Sequence, residues 1–466
     1  MSLSGKTTID WQAFASALAP IPTIDRPAAV RQRSRDFFWY SPLLDRRLDG
    51  CSGDLVAQPR DRAELARCLS LAFAWGVPAV LRGGGTGNYG QAVPLDGGLI
   101  VETLGLSRVL EIGDGWVRVE AGCTIAALNA ALAPSGQELP IFPSTQEIAT
   151  IGGFIAGGSA GIGSLKHGML RDVGNIISVT ALSVEAEPQE HVFTGPSIDL
   201  IHHAWGINGA IVELTLRAVP ARDWVGCIAS FPQYRDAYAA GIALGEADML
   251  IKLVTTLDAR IVPYFHKLRE RLSGDRALLI SLVDRGDLAA FDAVVAAGGG
   301  RTELQQDEAQ RLAAGMPHVF EFSYNHTTLQ VLKTDKRATY LQVLCPAPLD
   351  PALIDALRPD LGDDVLMHHE FTRLDGALVS FDIPIVHYTS DERLYAIVAI
   401  YEAHGCPVSD PHTCIIEDGG MKRANYRHLA LKKRLDPHGL LNSGKSRAWA
   451  EVKDLAPEAI DRLAEA

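Results

Sequence analysis

The sequence predicts a protein of mixed α-helix and β-strand with two or three domains, and three observations support this. The chain has 466 residues, which is more than one hydrophobic core usually serves. Hydrophobic residues make up 47% and charged residues 21%, as in soluble globular proteins. Residues 55–81 run from an apolar strand through a helical pattern to a second apolar strand, which predicts a β-α-β unit.

Composition also limits where the protein works and what it binds. No run of about 18 uninterrupted apolar residues occurs, so we expect no membrane span. The first residues lack the charged and then apolar pattern of a secretion signal. The seven cysteines include no C-x-x-C pair, which favours reduced thiols and a cytoplasmic location. The net charge of -13 argues against nucleic acid as a partner.

The helix of the β-α-β unit has recognisable ends. Asp61 followed by Glu64 is a capping pattern, which predicts the start of the helix. Gly76 with Pro78 predicts its end. The chain then enters the second strand and reaches Arg82.

A glycine-rich stretch, RGGGTGNYGQAVPLDGG at 82–98, follows this unit and contains the pattern G-x-G-x-x-G. A Rossmann dinucleotide site needs a helix whose first turn includes the third glycine. Pro94 and the glycine pair at 97 and 98 disfavour it, so we expect strand, loop and strand with no helix after Gly90. This stretch itself contains no G-K-[ST], which excludes a nucleoside triphosphate loop at this position. Two interpretations stay open: a nest of backbone N–H groups that binds an anion, or a tight turn that needs glycine.

A second glycine-rich segment, ATIGGFIAGGSAGIGSLKHGMLRD, lies at 149–172. Seven glycines fall between 152 and 168. Each glycine inside a helix costs about 1 kcal/mol relative to alanine. We therefore expect that this segment, like the first, opens no regular helix and brings its backbone close to something flat or anionic.

These segments and two later ones, at 202–220 and 434–445, carry a family resemblance. The chain resembles the FAD-linked oxidases and dehydrogenases of the p-cresol methylhydroxylase (PCMH) and vanillyl-alcohol oxidase superfamily, especially the D-2-hydroxyacid and glycolate dehydrogenase-like branch. The resemblance implies an α+β, two-domain PCMH-type FAD-binding fold, with two α+β subdomains and an antiparallel-sheet cap. The FAD-binding domain would span 1–220 and the substrate or cap domain 221–430. A C-terminal segment, 431–466, would return to the FAD domain.

The resemblance also implies how the cofactor is held. The first loop would hold the FAD pyrophosphate beside a cation, and the second would line the flavin. The residues implied are Arg82, Gly83, Gly84, Gly85, Thr86, Gly87, Asn88, Pro143, Ser144, Thr150, Gly152, Gly153, Ser159, Gly161, Gly163, Ile211, Val212, Asn442 and Lys445. Some relatives attach flavin covalently through a histidine of the first loop or a cysteine of the second. Thr86 takes the place of that histidine and no cysteine lies between Cys123 and Cys227, so we expect non-covalent FAD.

The metal motif of some relatives is incomplete in this chain. Their histidine positions read Thr372, Val379 and Asp418 here, and a glutamate without imidazole partners is a poor transition-metal site. We therefore expect no metal. The candidates for catalysis are polar groups in apolar surroundings: His326, Arg373, His387, Tyr388, His412 and Glu417. For any single histidine a structural role is favoured, and Arg373 fits a substrate carboxylate or a surface ion pair equally well.

The leading functional hypothesis is an FAD-dependent oxidoreductase that moves hydride from a hydroxyl- or amine-bearing carbon to flavin N5. The substrate would be a small molecule, such as a 2-hydroxyacid or an aromatic alcohol. The electron acceptor would be a quinone, a carrier protein or oxygen, and a homodimer stays open. Two alternatives are a non-catalytic flavin-binding subunit of a larger dehydrogenase complex and a nucleotide- or phosphate-binding protein without flavin.

Overall fold

The computed structural model describes residues 9–272, 274–419 and 424–464. Helices and strands alternate along the first half of the chain, and the second half is built around one large sheet. The strands are β1 (Thr23–Ile24), β2 (Leu55–Ala57), β3 (Ala79–Arg82), β4 (Leu99–Glu102), β5 (Val109–Gly113), β6 (Trp116–Glu120), β7 (Gln137–Glu138), β8 (Ile176–Leu182), β9 (Glu190–Thr194), β10 (Ala210–Arg217), β11 (Val219–Pro220), β12 (Trp224–Phe231), β13 (Ile251–Leu257), β14 (Ala277–Asp284), β15 (Arg301–Gln306), β16 (Ala338–Tyr340), β17 (Gln342–Cys345), β18 (Val365–Leu366), β19 (His368–Leu374), β20 (Ala377–Asp382), β21 (Ile385–His387) and β22 (Val408–Ser409). The helices are α1 (Trp11–Leu18), α2 (Pro27–Arg33), α3 (Pro42–Leu48), α4 (Arg62–Trp75), α5 (Ile125–Leu132), α6 (Ile151–Gly157), α7 (Ser164–His167), α8 (Tyr234–Glu246), α9 (Leu288–Ala297), α10 (Glu308–Ala313), α11 (Tyr324–Leu332), α12 (Ala352–Leu361), α13 (Asp391–Ala403), α14 (Tyr426–Leu435), α15 (Arg447–Val452) and α16 (Pro457–Leu463).

The first sheet contains the predicted β-α-β unit. Its order is β1-β2-β4-β3, and β2 and β3 both pair in parallel with β4. The Asp61 side chain accepts a hydrogen bond from the Glu64 N–H at the start of α4. Gly76 ends the helix in the left-handed conformation, at φ 64°, which glycine adopts without steric cost. The residues from Gly83 to Gly98 form loop and turns without a helix, as predicted.

The second glycine-rich segment corrects the sequence-based expectation. Residues Ile151–Gly157 form the helix α6, with the Thr150 hydroxyl accepting from the Gly153 N–H at its start. An ideal Cβ on Gly152 would lie 2.6 Å from the Cβ of Ala121, so this glycine lets the helix pack closely on its neighbour. Tertiary packing therefore outweighs the intrinsic cost of glycine in a helix.

A five-stranded antiparallel sheet, in the order β5-β6-β10-β8-β9, supports this segment. Val117 and Val119 of β6 are buried, and Leu214 and Leu216 of β10 join them in one hydrophobic core. Alternate residues of a strand face the same side, so these apolar positions form the side of the sheet that packs inward.

The cap is an eight-stranded antiparallel sheet, in the order β15-β12-β14-β13-β19-β20-β17-β22. Both of its faces are buried. Ile228 and Ile280 belong to the core shared with the five-stranded sheet, whereas Cys227 and Leu279 pack in a second core with α8. The near-continuous apolar runs of β12 and β14 follow from this two-sided burial.

The residues after α14 return to the first sheet. The Ala79 N–H donates to the Leu440 carbonyl over 2.9 Å, and the Asn442 N–H donates to the Ala79 carbonyl over 2.8 Å. The division of the chain at 220 and 430 stays a prediction, and α14 runs through the second position. Within the ranges described, no helix is long and apolar enough to cross a membrane.

Candidate cofactor and active site

A cavity of about 630 Å³ lies where the two glycine-rich segments meet the cap sheet. Most of the residues predicted to bind the cofactor line it. These are Gly83, Gly84, Gly85, Thr86, Gly87, Asn88, Pro143, Ser144, Thr150, Gly152, Gly153, Ser159, Gly161 and Ile211. Arg82, Gly163, Val212, Asn442 and Lys445 do not line it.

The first loop offers backbone donors to the cavity. In the part of the chain that the structure describes, the N–H groups from Gly84 to Asn88 donate to no protein acceptor. The first loop lies close to the backbone just before the second glycine-rich segment, because an ideal Cβ on Gly84 would lie 1.9 Å from the Ile148 carbonyl oxygen. Free N–H groups in a glycine turn form a concave anion site, and a pyrophosphate is an anion that such a site accommodates.

Arg82 supports the first loop from behind. Its Nη1 donates to the Arg35 carbonyl over 2.9 Å. A Cβ on Gly85, which has φ 65°, would lie 2.1 Å from the Arg82 guanidinium. The structure therefore places this guanidinium against the turn rather than on the cavity surface, where the resemblance had implied it.

Lys445 and Asn442 also act from behind the loop. The Lys445 ammonium is fully buried and donates to the Gly90 carbonyl over 2.5 Å. Asn442 Nδ2 donates to the carbonyls of Gln91 and Trp205, at 2.8 and 2.6 Å. Burial lowers the pKa of Lys445 to about 8. These contacts position the loop, and neither side chain borders the cavity.

Residues near the N-terminal end of the described chain complete the cavity, and the sequence did not suggest them. Asp36, Phe37 and Tyr40 line it. Burial raises the pKa of Asp36 from 3.8 to about 6, and Lys445 opposes this rise. The run DFFWY at 36–40 is the available signal, since an acid among aromatic residues is costly to bury without a purpose. Trp205, which stacks on Tyr89 at 5.9 Å between ring centroids, lines the cavity as well.

The cap contributes one polar and one apolar part of the cavity wall. Tyr324, Asn325 and His326 of α11 form the polar part. His326 Nδ1 lies 2.9 Å from Glu321 Oε2 but outside hydrogen-bond geometry, and among the described residues the buried Asn325 Oδ1 has no hydrogen-bond partner. The apolar part consists of Leu344, Leu374, Phe381 and Ile383.

A buried ionisable pair lies beneath the polar part. His368 Nε2 lies 2.7 Å from Glu370 Oε1, and both side chains are almost fully buried. Glu370 Oε1 also accepts the Tyr324 N–H over 2.5 Å. Tyr324 has φ 48°, a left-handed conformation that costs a non-glycine residue roughly 1 to 3 kcal/mol.

The other catalytic candidates do not line this cavity. Arg373 donates to the carbonyls of Gly245 and Gly376, at the far end of the β19–β20 hairpin. His387 Nδ1 lies 2.8 Å from Asp335 Oδ2. Tyr388 and His412, like Glu417, have structural partners. Tyr388 donates to Asp391, His412 contacts Ser41 Oγ and the Tyr340 carbonyl, and Glu417 accepts from Ser446 and the Arg447 N–H.

Asp375 and Glu417, the acidic residues of the two segments that resemble the metal motif, have different partners. Asp375 pairs with Arg171 over 3.1 Å, whereas Glu417 caps the start of α15. Among the residues that the structure describes, no three His, Cys, Asp or Glu side chains are grouped to hold a metal ion. Thr372 and Val379, which stand where some relatives carry histidine, lie within the cap sheet.

The residues present fit FAD. The cavity joins free backbone donors for a pyrophosphate to a wide space bordered by Phe37, Tyr40 and Trp205, which suits a flat ring system. The glycines of both segments bring the backbone to the cavity surface. FAD bound here would supply an electron acceptor.

Comparison with known proteins supports this assignment. Residues 53–185 match the family described as FAD binding domain. The D-lactate dehydrogenase of Archaeoglobus fulgidus is 28% identical over 231 residues, covering 48% of this chain and 50% of that protein. The glycolate oxidase subunit GlcD of Escherichia coli is 26% identical over 289 residues, 57% of each chain. The chain thus spans about half the length of these curated relatives.

Solved structures share the fold over nearly the whole chain. An alkyldihydroxyacetonephosphate synthase matches with a TM-score of 0.70 and 15% identity, covering 95% of this chain and 87% of the other. A BBE-like 1 protein of Physcomitrella patens matches with a TM-score of 0.64 and 13% identity, covering 92% and 97%. Residues 53–185 therefore match an FAD-binding domain, and the chain shares its fold with these two solved structures.

Proposed function

We propose that the protein is an FAD-dependent oxidoreductase that oxidises a hydroxyl-bearing carbon of a small molecule. One observation carries the proposal: the cavity has the two glycine-rich segments on one side and a polar cap wall, Tyr324 to His326, on the other. The bound flavin supplies a hydride acceptor at N5, and a quinone, a carrier protein or oxygen would reoxidise it. The names of the relatives, D-lactate dehydrogenase and glycolate oxidase subunit, agree with alcohol oxidation.

His326 is the residue that we assign to the substrate hydroxyl. Its Nδ1 lies 2.9 Å from Glu321 Oε2 but outside hydrogen-bond geometry. A neutral imidazole has one ring nitrogen with a lone pair, which can accept the hydroxyl proton as the C–H bond breaks. Asn325 Oδ1, buried without a partner, would accept a hydrogen bond from the bound substrate.

The cap wall favours a substrate whose body is apolar. Leu344 and Phe381 lie opposite each other on paired strands and both line the cavity. Arg373 binds backbone carbonyls away from the cavity, whereas Arg171 lines the cavity and pairs with Asp375 at an exposed position. A substrate carboxylate would have to compete with Asp375 for Arg171, whereas each apolar group removed from water gains about 25 cal/mol per Å².

Anaerobic reduction of the bound flavin tests both the proposed oxidation and the proposed apolar substrate. A 2-hydroxyacid, its methyl ester and an aromatic alcohol of similar size are compared, with bleaching of the flavin bands as the measurement. We expect bleaching by the ester and the aromatic alcohol, and slower bleaching by the free acid. Faster bleaching by the free acid would contradict the proposal that the substrate body is apolar. It would still support the proposal that the protein is an FAD-dependent oxidoreductase.

Two further outcomes contradict the oxidoreductase itself. Stable flavin bands with every compound in a broad panel of alcohols, hydroxyacids and amines favour a non-catalytic flavin-binding subunit. A purified chain that shows no flavin bands and does not bind added FAD favours a phosphate- or nucleotide-binding protein.

A further inference from the structure

His368 and Glu370 form a buried pair beneath the polar part of the cavity wall. His368 Nδ1 lies 3.2 Å from the Ile383 carbonyl, and Nε2 lies 2.7 Å from Glu370 Oε1. Both ring nitrogens thus face oxygen acceptors. The two side chains are almost fully buried, so this contact is shielded from water.

The Glu370 carboxylate also accepts a hydrogen bond from the backbone of the cavity wall. Its Oε2 accepts from the Thr255 hydroxyl over 2.6 Å, and its Oε1 accepts from the Tyr324 N–H over 2.5 Å. Tyr324 is the first residue of α11 and has φ 48°. An L-residue stays in this conformation only where its surroundings hold it there, and the carboxylate is a fixed acceptor for its N–H.

Tyr324 in turn joins the cap to the second glycine-rich segment. Its hydroxyl donates to the Gly161 carbonyl over 2.8 Å, and both residues line the cavity. Asn325 and His326 follow directly in the first turn of α11. The orientation of Tyr324 therefore determines where these two side chains lie and how close the cap lies to the segment.

We propose that His368 and Glu370 are positioning residues for the FAD cavity: through the Tyr324 backbone they fix the hydrogen bond from Tyr324 to Gly161. Neither of them is among the residues that line the cavity. The proposal requires FAD in the cavity but does not require the oxidation proposed above, so the two can fail separately.

The same strand provides a matched pair on its other face. His369 Nδ1 lies 2.7 Å from the Tyr234 hydroxyl of α8, and His369 is as deeply buried as His368. Successive residues of a strand point to opposite faces, so this contact lies on the side of the sheet away from α11. Neither His369 nor Tyr234 lines the cavity.

A double-mutant cycle on FAD affinity tests the proposal. The variants are Tyr324→Phe, Glu370→Ala and their combination, and the dissociation constant of FAD is measured on the apoprotein by flavin fluorescence. We expect each single variant to bind FAD about tenfold more weakly, and the combination to be within about twofold of the weaker single variant. The flavin absorption band should shift alike in all three.

Conservative and control variants separate positioning from general stability. Glu370→Gln keeps an oxygen that accepts the Tyr324 N–H, so its FAD affinity should lie within about twofold of the wild type. Tyr234→Phe should lower the melting temperature, leave FAD affinity unchanged and add independently to Tyr324→Phe. If Glu370→Ala does not fold, Glu370→Met with His368→Leu replaces the pair by apolar volume, and the same cycle is run.

Two results would overturn the proposal. One is full additivity of Tyr324→Phe with removal of Glu370, which would mean that the pair only fills the core. The other is a Glu370→Gln variant as weak as Glu370→Ala, because the charge rather than the acceptor at Tyr324 would then matter.

Discussion

Lys445 Nζ donates a hydrogen bond to the carbonyl oxygen of Gly90 over 2.5 Å, although 355 positions separate the two residues. The ammonium is fully buried, and burial lowers its pKa to about 8. A buried cation is costly to the fold unless its partners compensate. Its position directly behind the first glycine-rich loop indicates that it is kept for the shape of that loop.

Replacing Lys445 with methionine should therefore separate stability from cofactor binding. We expect Lys445→Met to change the melting temperature little, because an apolar side chain of similar length removes the desolvation cost. FAD affinity should fall about tenfold, since a hydrogen bond to a charged group contributes about 1.5 to 3 kcal/mol. Lys252→Met is the control. Lys252 is also buried, and its Nζ donates to Glu138 Oε1 and the Leu139 carbonyl, so this variant should leave FAD affinity unchanged. Equal losses in both variants would contradict this role.

Gly85 and Gly76 form a second matched pair. Both have a left-handed backbone, at φ 65° and 64°, but a Cβ meets the Arg82 guanidinium at Gly85 and nothing within 4 Å at Gly76. Alanine at either position should cost roughly 1 to 2 kcal/mol of stability through backbone strain. Only Gly85→Ala should also weaken FAD binding, measured by fluorescence titration. An intact FAD affinity in Gly85→Ala would show that the guanidinium can move aside freely.

Asp36 predicts a pH dependence of stability. Burial raises its pKa from 3.8 to about 6, so the folded protein holds a proton that the unfolded chain has lost. The free energy of unfolding then falls as the pH rises from the unfolded pKa of 3.8 to the folded pKa of about 6, by about 3 kcal/mol in total. Asp36→Asn removes the fall, so the stability of the variant minus that of the wild type should rise with pH, measured by urea unfolding of the apoprotein.

Asp258 provides a control of opposite sign. Burial raises its pKa, but hydrogen bonds with Arg260 outweigh this and leave the pKa lowered. Its contribution is present above the unfolded value and is lost as the pH falls through the folded value. Asp258→Asn should therefore lose more stability at neutral pH than in acid. A pH-independent difference for Asp36→Asn would mean that Asp36 is solvated in solution.

His326 and Arg373 are expected to differ, although the sequence suggested both for catalysis. His326 lines the cavity and Arg373 does not. His326→Gln should slow anaerobic flavin reduction about 10² to 10⁴-fold at full FAD occupancy, as removal of a general base does. Arg373→Gln should stay near the wild-type rate. Loss of flavin in the His326 variant, or an equal slowing by Arg373→Gln, would contradict this assignment.

FAD should leave the protein on denaturation. Thr86 lines the cavity at the loop position where some relatives carry a histidine, and no cysteine lines the cavity formed by the described residues. Denaturation in acid followed by filtration should place all flavin absorbance in the filtrate. Flavin fluorescence that migrates with the denatured chain on a gel would show a covalent bond.

Local signals predicted local structure well, and contacts between distant residues account for the differences. Asp61 and Gly76 bound the helix as expected because caps depend on a few neighbouring residues. The helix at Ile151–Gly157 was missed because Gly152 is required by close packing on Ala121, which sequence spacing does not reveal. For the same reason, Lys445 was expected near the flavin and instead lies behind the loop.

The cap was the least predictable part of the site. Its histidines look alike in sequence, and only the strand register separates His368, which faces α11, from His369, which faces α8. Burial of Asp36 beside the first loop likewise depends on a segment that is distant along the chain. Such pairings are set by three-dimensional packing rather than by local pattern.

The contact between Lys445 and Gly90 also orders events during synthesis. At about 5 to 20 residues per second, a ribosome needs roughly 20 to 70 s to add the 355 positions that separate them. The glycine-rich loop is therefore synthesised long before Lys445. Likewise, β3, which begins at Ala79, is synthesised long before its partners at 440–442. The hydrogen bond behind the loop can therefore form only late in synthesis, after the cap sheet has already been synthesised.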